Sequence, residues 1–278
     1  MLFDCFLYFD EEELLELRVE MLKDVVDGFI ISDGNRTFKG DPKPFTCVET
    51  IKKLKLPEDK IQVLHVELPS QEDVFNPWMR EHGQRDALGV GMRMTPSDSV
   101  FFLSDVDEIP KPEALLEAVE IAKSRPRECV RLSMPMFYGR ADLRVINPDG
   151  DPMEAPTNWT GGTVILYEHL EKNPSQIRAN PNGILVGNCD AGWHFSWMGD
   201  AERMKRKVTS FSHCYDVIPN AVAPANSPEM LAYLDAYRAS EGGTDPLGRG
   251  DHVLVSYPHE LLPEALFKLE RVRRYLLP

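Results

Sequence analysis

The stretch from Ser99 to Pro112, SVFFLSDVDEIPKP, constrains the fold of this chain more than any other. The consecutive apolar residues Val100 to Leu103 are too short a run for a helix and suit a strand buried on both faces of a parallel sheet. Asp105, Asp107 and Glu108 then gather carboxylates at the strand's C-terminal end, where open α/β sheets bind their ligands. Pro110 and Pro112 stop the strand, and Pro112 suits the first turn of the helix that Glu113-Ala114-Leu115-Leu116 begins. Carboxylates this close repel one another, so the cluster needs solvent or a cation. Asp-x-Asp at a strand end suits a hard divalent ion, Mn²⁺ or Mg²⁺, that keeps positions open for a substrate's phosphate oxygens. An acidic turn that caps the next helix is the other reading of an isolated Asp-x-Asp; the joint context of strand, acids and Pro-bounded helix favours a site.

The residues before this stretch alternate strand and helix. Leu2-Phe3 and Phe6 to Phe9 flank Asp4 as a first strand, and Leu14, Leu15, Leu17, Met21 and Leu22 recur at helical spacing from Glu11 to Val26. Phe29-Ile30-Ile31 forms a second strand, a unit of the length that a right-handed parallel crossover needs. A basic loop follows, Asn35 to Pro44, with Arg36, Lys39 and Lys43. Then come a short helix near Thr46 to Leu54, a strand at Ile61 to Val66 and a helix within Asn76 to Met94 that carries Glu81, Gln84, Arg85 and Asp86. The expected class is α/β, a mixed, mainly parallel sheet flanked by helices.

Beyond Pro112 the expected elements are a helix to about Ser124, a strand from Cys129 to Met136, long loops over residues 139 to 162 and a strand from Thr163 to Tyr167. In NCDAGWHFSWMG, Asn188 to Gly199, strand alternation places Trp193, Phe195 and Trp197 on one side and His194 on the other. The two Trp rings suit either the core or a sugar platform; His194 suits a third metal ligand and Asp190 a general base, or each is a satisfied polar residue at a strand end. Ala201 to Phe211 reads as a basic amphipathic helix with Arg203, Lys205, Arg206 and Lys207, most simply a solvated charged face, with one of these cations holding a phosphate as the other reading. Ser227 to Ala239 and Pro263 to Leu276 read as helices, joined by a Gly-rich acidic link from Glu241 to Asp251.

Composition narrows the function classes. The 278 residues suit one large domain, read here as residues 1–216 with a helical extension, 217–278, packed on it. A formal net charge of −14 argues against nucleic acid or an anionic membrane as the main partner. It leaves phosphate ligands open, because a bound cation reverses the local field. The five scattered cysteines lack CxxC pairing and fit a reducing compartment, and no run approaches the roughly 20 apolar residues that span a bilayer. With no secretory leader in view, a cytoplasmic location is expected.

DCFLYFDEEELLELRVEML, the NRTFKG loop, QRD in the third helix, SDVDEIPKP and GWHFSWMG occur in the order and approximate spacing of glycosyltransferase family 17, and the chain resembles that family over roughly residues 3 to 216. The resemblance implies a GT-A-like, Rossmann-type nucleotide-sugar-binding domain. It further implies transfer of a sugar, N-acetylglucosamine from UDP-GlcNAc, with inversion, to a glycan or other hydroxyl acceptor. Asp105 and Asp107 resemble the metal-binding pair, with Asp107 the expected direct ligand, and His194 resembles the histidine that completes such a site. Asp4, Arg36, Arg85 and Asp86 are expected at the nucleotide and its phosphates. Two rival readings are an aspartate-based phosphohydrolase, from the likeness of DVDEI to a nucleophile loop, and a catalytically silent glycan-binding module built on Trp193 and Trp197.

Overall fold

The computed structural model describes residues 1–147, 158–180, 182–212 and 253–277, with isolated positions between 213 and 252. Strand and helix alternate through the first part as β1 (Leu2–Tyr8), α1 (Glu12–Leu22), β2 (Gly28–Gly34), α2 (Cys47–Leu54), β3 (Ile61–Val66), α3 (Pro77–Arg93) and β4 (Val100–Asp105). Local chemistry sets the helix starts. The Asn76 side chain accepts a hydrogen bond from the Trp78 amide ahead of Pro77, and Pro112 opens α4 (Pro112–Ser124), where the amide it lacks has no partner within the helix to lose.

The remaining elements are β5 (Glu108–Pro110), β6 (Val130–Leu132), β7 (Met134–Tyr138), β8 (Leu143–Ile146), β9 (Asn158–Trp159), β10 (Thr163–Leu166), α5 (Pro174–Ala179), β11 (Ile184–Val186), β12 (Gly192–Ser196), α6 (Ala201–Ser210), β13 (Val253–Ser256), α7 (Glu264–Lys268) and α8 (Glu270–Leu276). A seven-stranded sheet runs β11-β6-β10-β4-β1-β2-β3. Within it β4, β1, β2 and β3 are mutually parallel, and β10 lies antiparallel between β4 and β6. The class is the expected one: α/β, with a mixed, mainly parallel main sheet flanked by helices. Val100 to Leu103 are fully or almost fully buried in the middle strand, as their unbroken apolar run requires.

A second sheet, β13-β8-β7-β12-β5 with β9 on β7, stands at the C-terminal end of β4. The single strand expected from Cys129 to Met136 divides between the sheets. Ser133 breaks it: β6 stays in the main sheet, and β7 crosses to the second sheet, parallel to β12. The long helix expected from Pro263 to Leu276 is α7 and α8, interrupted at Leu269. Before them β13, which the apolar pattern did not announce, pairs with β8. On α8, Arg271 reaches Glu12, Glu13 and Glu16 of α1 at 3.1, 2.7 and 2.9 Å, fastening the C-terminal helices to the main domain. The helix expected at Ser227 to Ala239 and the link from Glu241 to Asp251 lie outside the described residues, apart from isolated positions. Among the described residues no helix is long and apolar enough to cross a membrane.

Candidate active site

The acid turn after β4 and the strand β12 are hydrogen-bonded neighbours. In the antiparallel β5–β12 pair Gly192 lies opposite Pro110, Trp193 opposite Ile109 and His194 opposite Glu108. The Phe195 amide also donates to the Asp107 carbonyl at 2.8 Å. The two most informative stretches of the sequence thus form one wall of a cleft of about 810 Å³, within the range of small-molecule sites. Its other walls include Tyr8 at the end of β1, Glu81 and Arg85 of α3, Trp159 of β9, Arg178 of α5 and Lys207 of α6.

The three acids are paired with different cations, except that Asp105 and Glu108 share Arg178. Asp105 accepts from Arg85 Nη1 at 2.6 Å on one oxygen and from Arg178 Nη2 at 3.0 Å on the other, so it bridges α3 and α5. Burial alone raises its pKa, yet the two guanidiniums hold it below the usual carboxylate range. Asp107 accepts from Lys207 Nζ at 2.8 Å and faces His194 Nε2 at 3.5 Å. There too burial is outweighed, and the lysine and histidine keep the carboxyl far below its ordinary value. Glu108, with no exposed surface, takes both Arg178 Nη groups and the Trp159 indole N–H. Its Oε2 also accepts the Asp105 amide at 3.2 Å, closing the turn on itself.

Among the nucleotide-side expectations, only Arg85 lines the cleft. Asp4 is wholly buried beneath it, gripped by Arg18 of α1 through both oxygens at 2.7 and 2.6 Å. Arg36 donates to the Leu68 and Gly40 carbonyls, both at 3.1 Å, and so folds its own loop. Asp86 accepts the Ser175 amide at 2.8 Å and anchors the start of α5. The neighbouring residues of QRD thus divide the work: Gln84 ties the ends of β1 and β2 through the Tyr8 and Ser32 carbonyls, Arg85 takes Asp105, and Asp86 takes α5.

Asp190 lies outside the cleft lining, with 65% of its side chain exposed and paired to Lys111 at 2.6 Å. The aromatic alternation ends at Ser196. Trp193 is buried, parallel to Phe195 with centroids 6.4 Å apart, and its indole donates to the Leu261 carbonyl. Trp197 takes a φ of +63°, which turns its ring away from that row into a second cluster and onto the cleft wall, edge-on to Phe211. The structure therefore does not bring Trp193 and Trp197 together as one platform. The aromatic ring beside the acids is Trp159, 4.7 Å from the His194 ring with Arg178 over its face.

Trp159 and Arg178 were not singled out by the sequence as site residues; Glu108 was read only as a member of the acid run, and Lys207 only as one of the cations on a basic helix. As donors for a divalent ion, Asp107 in the turn between β4 and β5 and His194 on β12 supply an oxygen and a nitrogen, and His194 Nδ1 is buried without a hydrogen-bond partner. That mixed pair fits Mn²⁺ better than Mg²⁺, which takes oxygen ligands. Among the described residues no three His, Cys, Asp or Glu side chains converge as a ready metal cluster, since Asp105 is turned to its arginines.

The family model for glycosyltransferase family 17 matches residues 1–136. The beta-1,4-mannosyl-glycoprotein 4-beta-N-acetylglucosaminyltransferases of Mus musculus and Homo sapiens are 34% and 33% identical to the chain over 116 residues. Each alignment covers 38% of this chain, which spans only 21% of the length of either relative. Among solved structures, GalNAc-T7 with UDP, GalNAc and Mn²⁺ aligns over 86% of this chain and 55% of its own, at 11% identity and a TM-score of 0.44. A 4-diphosphocytidyl-2C-methyl-D-erythritol synthase aligns over 66% and 86%, at 9% identity and a TM-score of 0.41. Residues 1–136, from β1 through the acid turn to β7, therefore carry the match to glycosyltransferase family 17.

Proposed function

We propose that this chain is a glycosyltransferase that moves N-acetylglucosamine from UDP-GlcNAc, with inversion, to a hydroxyl of a glycan acceptor, aided by Mn²⁺ or Mg²⁺. The observation that carries the reading is the pairing of Asp107, within the segment that matches family 17, with His194 of β12, in a cleft at the C-terminal end of β4. The names of the mouse and human relatives supply the sugar.

Asp107 and His194 would hold the ion, which, when bound, offsets charge on the departing diphosphate. The chain's own groups do the rest. Arg85 and Arg178 keep Asp105 ionised and fixed between two helices, so the acid turn holds its shape as charge moves beside it. Trp159 offers a ring face next to His194 for the apolar side of a sugar. The acceptor's proton passes to a carboxylate of the cleft that is neither a ligand of the ion nor clamped between Arg85 and Arg178; Glu11 and Glu81 line it.

The test is a screen of nucleotide sugars for Mn²⁺-stimulated release of the nucleotide, with the parent protein and Asp107→Asn. UDP release from UDP-GlcNAc that needs the metal and is lost in the variant is expected. Release of phosphate from simple phosphomonoesters with no sugar-nucleotide turnover would replace this reading with a phosphohydrolase, and UDP-independent glycan binding alone would leave a binding module.

A further inference from the structure

Lys207 is a misplaced residue if α6 is only a solvated basic helix. Arg203, Arg206 and Lys207 share one face of α6, three and four residues apart. Arg203 and Arg206 grip the β1–α1 corner: Arg206 donates to Asp10 Oδ2 at 2.7 Å, and Arg203 lies 3.6 Å from Glu13. Their grip aims the third cation inward, where the Lys207 ammonium sits 2.8 Å from Asp107 Oδ2, on the carboxylate whose other oxygen faces His194. Glu11, also on the cleft wall, adds a second negative neighbour.

The floor of the cleft thus already contains a positive charge at the acid proposed to take the divalent ion. A lysine is suited to this, because its compact ammonium mimics a point cation and its flexible stem lets it leave. An arginine fork on the same carboxylate is harder to detach. The chain holds Asp105 between two guanidiniums, Arg85 on one oxygen and Arg178, whose fork closes on Glu108, on the other, and it sets the lysine on Asp107. One acid is locked and the other is held by a removable cation.

We propose that Lys207 is the resident counter-cation of the site: it neutralises Asp107 in the metal-free protein and is displaced when the divalent ion binds. The proposal rests on the reading of Asp107 as a metal ligand. It makes metal loading a cation exchange, so that Lys207 weakens the metal affinity of the free protein and frees an ammonium inside the cleft once the ion is in place.

The test uses Mn²⁺ alone, titrated into the parent protein, Lys207→Met and Lys207→Arg, with free Mn²⁺ read by electron paramagnetic resonance. Lys207→Met is expected to bind Mn²⁺ about tenfold more tightly than the parent, and Lys207→Arg no more tightly. In the parent, acylation of the Lys207 amine, followed by peptide mass spectrometry, should rise severalfold at saturating Mn²⁺. This arm decides the matter if Lys207→Met does not fold. Equal or weaker Mn²⁺ binding by Lys207→Met, or an amine whose labelling ignores the metal, overturns the exchange and leaves the metal site standing. If neither parent nor variant binds Mn²⁺, the metal site falls and the exchange with it.

Discussion

Arg18 and Asp4 form a bidentate ion pair directly beneath the acid turn, at 2.7 and 2.6 Å, with neither side chain exposed. The guanidinium also donates to Ser104 Oγ at 2.5 Å and to the carbonyls of Asp105 and Glu108 at 2.6 and 3.1 Å. One arginine from α1 therefore pins β1, the end of β4 and the start of β5. Asp4→Ala leaves this guanidinium buried without its carboxylate, a change that costs about 3–5 kcal/mol. Urea unfolding should register that loss, and the double variant Asp4→Leu/Arg18→Met should lose less than the two single changes summed. A loss below about 1 kcal/mol for Asp4→Ala would show that the pair is not the peg described.

The same pair shows what the sequence could and could not disclose. Asp4 interrupts an apolar strand, and Arg18 lies between Leu14 and Leu22 at four-residue spacing, on the buried stripe of α1. Each is visible alone as a charge where none should be; their pairing is a tertiary fact. Elements with a clear period were legible: β1 to β4, α1 and α3 fall where the apolar pattern puts them. The division of β6 from β7 was not, because apolar residues continue on both sides of Ser133 and only the sheets differ. Trp197 broke its row through a backbone angle that residue type does not reveal. Arg178 and Lys207 come from a short helix and a polar helix that carry no motif, and only the fold brings them to Asp105 and Asp107.

Gly161 leaves the space through which Arg178 reaches the acids. A Cβ there would lie 2.3 Å from Arg178 Nη1, and the guanidinium is held on three sides by Glu108 and Asp105. Gly161→Ala should therefore push Arg178 off Asp105, lowering sugar-nucleotide turnover about tenfold or more, a loss of about 1.4 kcal/mol in transition-state stabilisation. Arg178→Lys, which keeps the charge but not the fork, should fall similarly. Steady-state UDP release checks both, with urea midpoints to separate lost folding from lost positioning. Full turnover in both variants would remove Arg178 from the machinery.

The ionisation of Asp107 makes a specific acid signature. Its folded pKa lies below its unfolded value of about 3.9, so its contribution to stability is complete above about pH 4 and is lost as the pH falls toward the folded value. Lys207 behaves oppositely: Asp107 and Glu11 outweigh burial and raise its pKa, so its contribution is complete below about pH 10.4 and is lost as the pH rises beyond it. Unfolding free energies measured from pH 7 to 2.5 should fall more steeply below pH 4 for the parent than for Asp107→Asn. Parallel acid limbs would mean that this carboxyl titrates as an ordinary one.

Two glycines separate steric need from mere permissiveness. At Gly192 a Cβ would stand 2.3 Å from the Ile109 carbonyl and 2.7 Å from Pro110 Cα, backbone atoms of the strand that places His194 opposite Glu108. Neither neighbour yields without parting β12 from β5, so Gly192→Ala should cost about 1–3 kcal/mol and weaken Mn²⁺ binding through a displaced His194. Gly83 lies within α3, and the nearest atom to its Cβ would be Leu68 Cδ2 at 3.9 Å, an ordinary contact. Gly83→Ala should instead stabilise the helix by about 0.5–1 kcal/mol and leave Mn²⁺ affinity unchanged. Urea unfolding and Mn²⁺ titration of both variants check the contrast. If Gly192→Ala proved as stable and as tight for Mn²⁺ as the parent, the close β5–β12 pairing would not be what positions His194.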